Sequence, residues 1–340
     1  MKNNLVGIII PYFGTLPNYF NLWMESLKYN SNIDVIFLTD ISKPNQIPEN
    51  LIWMNTSFED IKKRAQHIVD FKISLSRPYK LTDFRPAYGK IFADYLKKYD
   101  WWGFGDIDTI WGNLKPIIND NNLNKFDKIL SLGHLTLLKN NEENNSLYKI
   151  KLKHLWNYRD AFSTGYSYHF DEGGGLSFIA KKKLLNIYDE FPGNMSFADL
   201  DPNIPNFSLA YSQNKDPYIF TWENGILKGY WIEENKVFSK EFTYVHLQKR
   251  SMQMCLQNND FKNFAIIPNK FIPLREVIIN TETIRRYNSI NNCTIDKHTQ
   301  RKININKFNF RNIKRVILQK TKKIPVNGNE VYFNFQKPRY

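Results

Sequence analysis

Apolar residues come in short, dense runs separated by stretches with helical spacing, and this alternation repeats through the first hundred positions. Val6 to Ile10 is an unbroken apolar run stopped by Pro11, which predicts a buried strand. Asn18 to Tyr29 sets Tyr19, Leu22, Trp23 and Leu27 at helical intervals. Ile33 to Leu38 predicts a second strand ending at Thr39-Asp40, and Trp53 to Asn55 a short third one. Phe58 to Phe71 reads as a helix with Ile61, Ala65 and Ile68 on one face. Arg85 to Gly89 opens a further helix carrying Ile91, Phe92, Tyr95 and Leu96, and the aromatic run Trp101 to Phe104 is a fourth strand.

Farther along, Asp127 to Leu138 predicts paired strands and Asn140 to Asn145 a polar turn. The acidic, glycine-rich segment His169 to Gly175 leads into an apolar stretch expected to be a strand, and Lys181 to Phe191 is expected to be helical. Asn194 to Pro217, rich in Pro, Asn and Asp, reads as a long ordered loop. Tyr218 to Trp222 and Leu227 to Ile232, split by Glu223-Asn224-Gly225, predict a hairpin. Strands alternating with helices imply an α/β fold, a mostly parallel sheet flanked by helices. Ligands of such sheets gather beyond the carboxyl ends of the strands. Pro11 to Gly14, Asp40 and Asp106 to Asp108 all fall there.

The length of 340 residues and 42% hydrophobic content suffice for a substantial core. Two cysteines, Cys255 and Cys293, make no disulfide framework, and the short apolar run at the N-terminus is no membrane span. A cytoplasmic protein is expected. The net charge of +14 is uneven. From Thr281 to Tyr340, fourteen Lys/Arg against three acids give +11, so the rest is close to neutral. The expected organisation is a catalytic domain over 1–274 and a basic C-terminal extension over 275–340.

Asp106 and Asp108 end the fourth strand. Two carboxylates about 4 Å apart at an effective dielectric near 20 repel by roughly 4 kcal/mol. A divalent cation removes that repulsion, and hard oxygen ligands suit Mg²⁺ or Mn²⁺. Gly103 and Gly105 would let a ligand or another backbone come close, and Trp101, Trp102 and Trp111 would wall off water. His246 sits at the end of a predicted strand, with Lys249 and Arg250 just past it as counter-charges for a diphosphate.

With these residues in place, the sequence resembles the GT-A-type nucleotide-sugar glycosyltransferases, within them a bacterial family of capsule and cell-surface polysaccharide transferases. The matching stretches are Ile9 to Gly14, Thr39-Asp40, Asp83 to Gly89, Trp102 to Asp108 with Gly112, Phe170-Asp171-Glu172, and His246 to Arg250. The likeness implies a GT-A-like, Rossmann-type sheet. It implies that Pro11, Tyr12, Phe13, Gly14 and Asp40 line the nucleotide pocket, and that Asp83 and Arg85 reach the donor. Related transferases often space these two as Asp-x-x-Arg, one residue wider than here. The likeness also implies Asp106, Asp108 and His246 as ligands of Mn²⁺ or Mg²⁺, with Asp106 also touching ribose or sugar. Lys249 or Arg250 would neutralise the leaving diphosphate, and Asp171 and Glu172 would serve the acceptor or act as general base.

Two other classes compete. A haloacid-dehalogenase-like phosphatase uses Asp-x-Asp-x-Thr, but here the threonine, Thr109, follows Asp108 directly. A non-catalytic carbohydrate-binding protein would use exposed aromatics without needing acids, histidine and cations together. In the tail, Phe308 to Leu318 has the pattern of a basic amphipathic helix. It is suited either to an anionic membrane, and so to a lipid-linked acceptor at its inner face, or to packing on the catalytic domain. Nothing accompanies the charge that would make a nucleic-acid module.

Overall fold

The computed structural model describes residues 5–152, 156–190, 195–212 and 216–289. The segment Phe308 to Leu318 lies outside them. The first eight strands are β1 (Val6–Pro11), β2 (Ile33–Thr39), β3 (Leu51–Asn55), β4 (Trp101–Gly105), β5 (Thr109–Trp111), β6 (Lys128–Leu132), β7 (Leu135–Lys139) and β8 (Ile187–Tyr188). Seven of them form one sheet in the order β3-β2-β1-β4-β7-β6-β8. Four of its six pairings are parallel, and only β7 runs against both neighbours.

Both faces of this sheet are covered, which is why its strands read as continuous apolar runs. Side chains alternate between faces along a strand. Ile8 and Ile10 of β1 and Val35 and Phe37 of β2 therefore meet Phe20 and Trp23 of helix α1 (Phe20–Leu27). Ile9, Ile36 and Leu38 face the other way, onto Ile61 and Ala65 of helix α2 (Phe58–His67). Ser57 caps α2, accepting a hydrogen bond from the Asp60 N–H.

The remaining strands are β9 (Ala198–Asp199), β10 (Ile219–Glu223), β11 (Ile226–Glu233), β12 (Lys236–Phe242), β13 (Tyr244–His246), β14 (Gln253–Met254), β15 (Asn263–Ile267) and β16 (Lys270–Pro273). A six-stranded, mainly antiparallel sheet, β12-β11-β10-β15-β16-β14, carries the predicted hairpin and is larger than the sequence pattern indicated. A three-stranded sheet, β5-β13-β9, links it to the first.

Several local expectations are corrected. Leu176–Lys182 is a helix, not a strand, and the chain beyond it forms β8 rather than a helix. A short apolar run fits either element, and here Leu176, Phe178, Ile179 and Ala180 are all buried. The helix expected from Arg85 begins instead as a 3-10 turn at Pro78–Ala87, followed by two single-turn helices. Trp101, Trp102 and Trp111 are core residues rather than walls of a site. Gly103 does let another backbone come close, as expected, since a Cβ there would lie 2.5 Å from the Thr136 carbonyl of β7. The start of the expected extension is structured. Asn280 caps a helix over Thr281–Tyr287, and Ile284 packs on Ile219 and Ala265 of the six-stranded sheet. Among the described residues no helix is long and apolar enough to cross a membrane.

Candidate active site

The three-stranded sheet assembles residues far apart in sequence. In its register His246 lies beside Thr109 on one side and beside Asp199 on the other. Because Thr109 follows Asp108 at the mouth of β4, this pairing delivers the imidazole to the carboxylates. His246 Nε2 is 3.4 Å from Asp108 Oδ2, and ligand atoms of Asp106, Asp108 and His246 all lie within 4.8 Å of one another. Two oxygens and one nitrogen at such spacing form a donor set that a divalent cation would contract around.

A second set of groups orients the first. His246 Nδ1 lies 2.8 Å from Asp199 Oδ1, which also accepts from the Gln248 side chain at 2.6 Å. A proton on Nδ1, shared with Asp199, leaves Nε2 toward Asp108. His134, in the β6–β7 turn, packs against His246 with ring centroids 4.6 Å apart and planes tilted by 37°, and its Nδ1 meets the Tyr244 hydroxyl at 2.8 Å. Burial alone would lower the pKa of His246. Asp108 and Asp199 reverse this and hold it well above the usual histidine range. Asp108 is the counterpart: burial would raise it, but His246 and Lys249 hold it well below the usual carboxylate range. Burial, reinforced by His246, pushes His134 down to about 4 and so keeps it neutral. Asp199 and His134 escape sequence reading because one lies in the Pro/Asn-rich segment and the other in a turn.

Beside these groups opens a cleft of about 680 Å³. Its walls come from Pro11 at the end of β1 with Tyr12 and Phe13 just past it, from Tyr79 and Arg85 on the 3-10 turn, and from Asp106, Asp108, Lys249 and Arg250. Gly14 and Asp40, expected in the nucleotide pocket, are exposed and lie outside this lining.

The two cations after His246 differ in employment. Gln248 and Lys249 both adopt left-handed backbone conformations, with φ of 54° and 56°. This tight turn brings the Lys249 N–H to Asp108 Oδ2 at 2.6 Å, and Leu247 N–H to the Asp108 carbonyl at 2.8 Å. The Lys249 ammonium rests 4.2 Å from the centre of the exposed Tyr79 ring, at the cleft. Arg250, although it also borders the cleft, donates to the carbonyls of Asp201, Ile204 and Pro205 and so staples that loop.

Asp83 and Arg85 are also sorted by the structure. Asp83, expected to reach the donor, is 0% exposed, and its oxygens accept from Lys80, Tyr168 N–H and Phe170 N–H. It organises the 166–170 segment instead. Arg85 lines the cleft and donates to Asp106, to Asp171 at 2.9 Å and to the Gly133 carbonyl at 3.0 Å. Asp171 is buried, and that burial raises its pKa well above the usual range despite Arg85. Glu172 is only half-buried and accepts from the Gly133 N–H at 3.0 Å. Neither acid belongs to the cleft lining. A Cβ at Gly133 would lie 2.8 Å from both the Asp171 and the Glu172 carboxylates, so one would force these side chains to shift.

Residues 8–275 match the model of DUF6625, described as a family of unknown function, and the chain belongs to that family. No curated protein matches the sequence. Among solved structures, the chain is similar to a galactosyltransferase, LgtC, determined in complex with donor and acceptor sugar analogues. Their identity is 13% and the TM-score 0.33, over 58% of this chain and 76% of that one. It is also similar to the apo form of the glycosyltransferase GlyE of Streptococcus pneumoniae TIGR4, at 11% identity and a TM-score of 0.30, over 56% of this chain and 46% of that one.

Proposed function

We propose that this member of the DUF6625 family is a GT-A-type glycosyltransferase. It would move a sugar from a nucleotide-diphosphate donor to a glycan or lipid-linked acceptor in cell-surface polysaccharide synthesis, with Mn²⁺ or Mg²⁺ required. The observation that carries this reading is the convergence of Asp106, Asp108 and His246 within 4.8 Å at the edge of a cleft large enough for a nucleotide sugar. Two carboxylates and an imidazole fit such an ion, which when bound supplies positive charge for the departing diphosphate.

The chain's own groups have separable tasks. Asp199 fixes the His246 ring so that Nε2 faces Asp108. Arg85 ties Asp106 to Asp171 and holds the outer carboxylate in place. Lys249 brings a cation to the cleft without burying it, ready to meet a phosphate. Tyr12, Phe13 and Tyr79 offer flat apolar walls on which a base or sugar can stack. Glu172, the more exposed of the two downstream acids, is the candidate to serve the acceptor hydroxyl. The reading places the enzyme in the cytoplasm, with the basic tail at the inner face of the membrane where a lipid-linked acceptor resides.

The test is release of free nucleoside diphosphate from UDP-, GDP- and CDP-sugars, with and without Mn²⁺, in the presence of free and lipid-linked glycan acceptors. Metal-dependent release from one nucleotide class, abolished in Asp108→Asn, is expected. Absence of release and of binding for every donor would leave a carbohydrate-binding protein as the better account.

A further inference from the structure

We propose that His134, Asp199 and His246 form a second, inner cation site with a preference for Zn²⁺, and that zinc bound there withdraws His246 from the outer site of Asp106 and Asp108. The ligand atoms of these three residues lie within 4.8 Å of one another, and all three side chains are buried. His134 is 4% exposed, and among the described residues its Nε2 has no hydrogen-bond partner although it is shut away from solvent. Such a nitrogen is expensive to leave idle, because its desolvation is uncompensated. It lies 3.9 Å from Asp199 Oδ2, while the Tyr244 hydroxyl holds the opposite nitrogen at 2.8 Å. With the proton on Nδ1 and donated to Tyr244, Nε2 presents a lone pair to Asp199.

The two sites differ in donor chemistry. The outer one has two carboxylates and one imidazole, while the inner one has two imidazoles and one carboxylate. The second set is the softer and suits Zn²⁺, whose three-ligand sites keep one position open.

Exclusion follows from the proton count on His246. A neutral imidazole carries one N–H. With a cation in the outer site and the inner one empty, that proton sits on Nδ1 against Asp199, and Nε2 turns its lone pair to the cation beside Asp108. When zinc takes the Nδ1 lone pair, the proton moves to Nε2, which can then only donate to Asp108. The outer site is reduced to its carboxylates. The inner site itself stands on the buried triad alone; the exclusion rests on the glycosyl-transfer reading of the outer one.

The experiment uses the full-length chain stripped of metal. Zn²⁺ stoichiometry is measured by equilibrium dialysis for wild type, His134→Phe and Asp108→Asn, with circular dichroism to verify folding. One zinc per wild-type chain is expected, kept in Asp108→Asn and lost in His134→Phe. X-ray absorption at the zinc edge of the wild type should count two imidazole ligands, a readout that needs no variant. Mn²⁺ binding followed by electron paramagnetic resonance should weaken about tenfold or more when zinc is added to wild type, as expected for loss of a ligand. In His134→Phe zinc can act only by direct competition at the outer site, which excess Mn²⁺ should reverse. No bound zinc, a single imidazole in its shell, or equal zinc binding by folded His134→Phe would overturn the inner site. Zinc bound through two imidazoles with Mn²⁺ affinity unchanged would overturn the exclusion. Failure of Mn²⁺ to bind wild type even without zinc would fall on the glycosyl-transfer reading, leaving the inner site to be judged by its zinc stoichiometry and ligand count.

Discussion

The main-chain N–H of Lys249 donates to Asp108 Oδ2 at 2.6 Å, so the acid at the mouth of β4 fastens the very turn that carries the cation. One side chain thereby serves both as a candidate metal ligand and as the anchor of residues 247–250. Asp108→Ala should abolish metal-dependent nucleotide binding. It should also lower stability by about 2 kcal/mol, the range for a buried hydrogen bond to a charged group. Calorimetric titration and urea denaturation separate the two effects. Full stability with lost binding would mean that the turn is held by other contacts.

Lys249 and Arg250 are adjacent but should behave differently. Lys249→Gln removes a cation at the cleft and should weaken diphosphate binding roughly tenfold, near the 1.5 kcal/mol of a charge-assisted contact, with little change in Tm. Arg250→Ala strips the 201–206 loop of its staple and should lower stability by about 2 kcal/mol, again the value for hydrogen bonds from a charged group. Denaturation curves and diphosphate titrations of both variants check this. A stable Arg250→Ala with the larger binding defect would reverse the assignment.

An added Cβ at Gly133 would crowd the Asp171 and Glu172 carboxylates at 2.8 Å and an Arg85 nitrogen at 3.1 Å. Gly133→Ala should cost about 1–3 kcal/mol, as overpacking does. It should also disturb Arg85 and through it Asp106. Comparing its Tm and metal affinity with wild type tests this. A neutral substitution would show that the β6–β7 turn moves freely.

Lys128 supports that same turn. It is fully buried, and its ammonium donates to the Leu130 carbonyl and, at 3.2 Å, to Ser131. Leu130 has a φ of 60°, where β6 and β7 slip register. Burial pushes the Lys128 pKa down to about 8. The unfolded chain, near 10.4, then binds more protons between those two values, so stability should rise with pH across this window. The penalty is fully present below about pH 8 and gone above about pH 10.4. The rise should approach roughly 3 kcal/mol, from 1.36 kcal/mol per pKa unit. Denaturation at stepped pH should show it in wild type and not in Lys128→Met. Identical pH profiles would rule it out.

The legible parts of the molecule were those with local signals. The runs at Val6, Ile33 and Trp101 announced β1, β2 and β4, and Glu223-Asn224-Gly225 announced a hairpin turn. Asp106 and Asp108 stood out because paired carboxylates at a strand end need a reason. Asp199 and His134 did not, since each is a single polar residue whose meaning comes from β13 pairing with β5 and β9, contacts remote in sequence. The resemblance to GT-A transferases implied a donor contact at Asp83. Only the tertiary structure shows that Lys80 and two main-chain N–H groups occupy it.

The central claim, a metal-dependent nucleotide site on Asp106, Asp108 and His246, is tested most directly by thermal shift. UDP, GDP, CDP and their sugars are screened with and without Mn²⁺ on wild type and Asp108→Ala. A ligand at one hundred times its Kd stabilises by about 2.7 kcal/mol. The account predicts a shift with one nucleotide class, dependent on Mn²⁺ and absent in the variant. Equal shifts with and without metal, or an undiminished shift in Asp108→Ala, would contradict it.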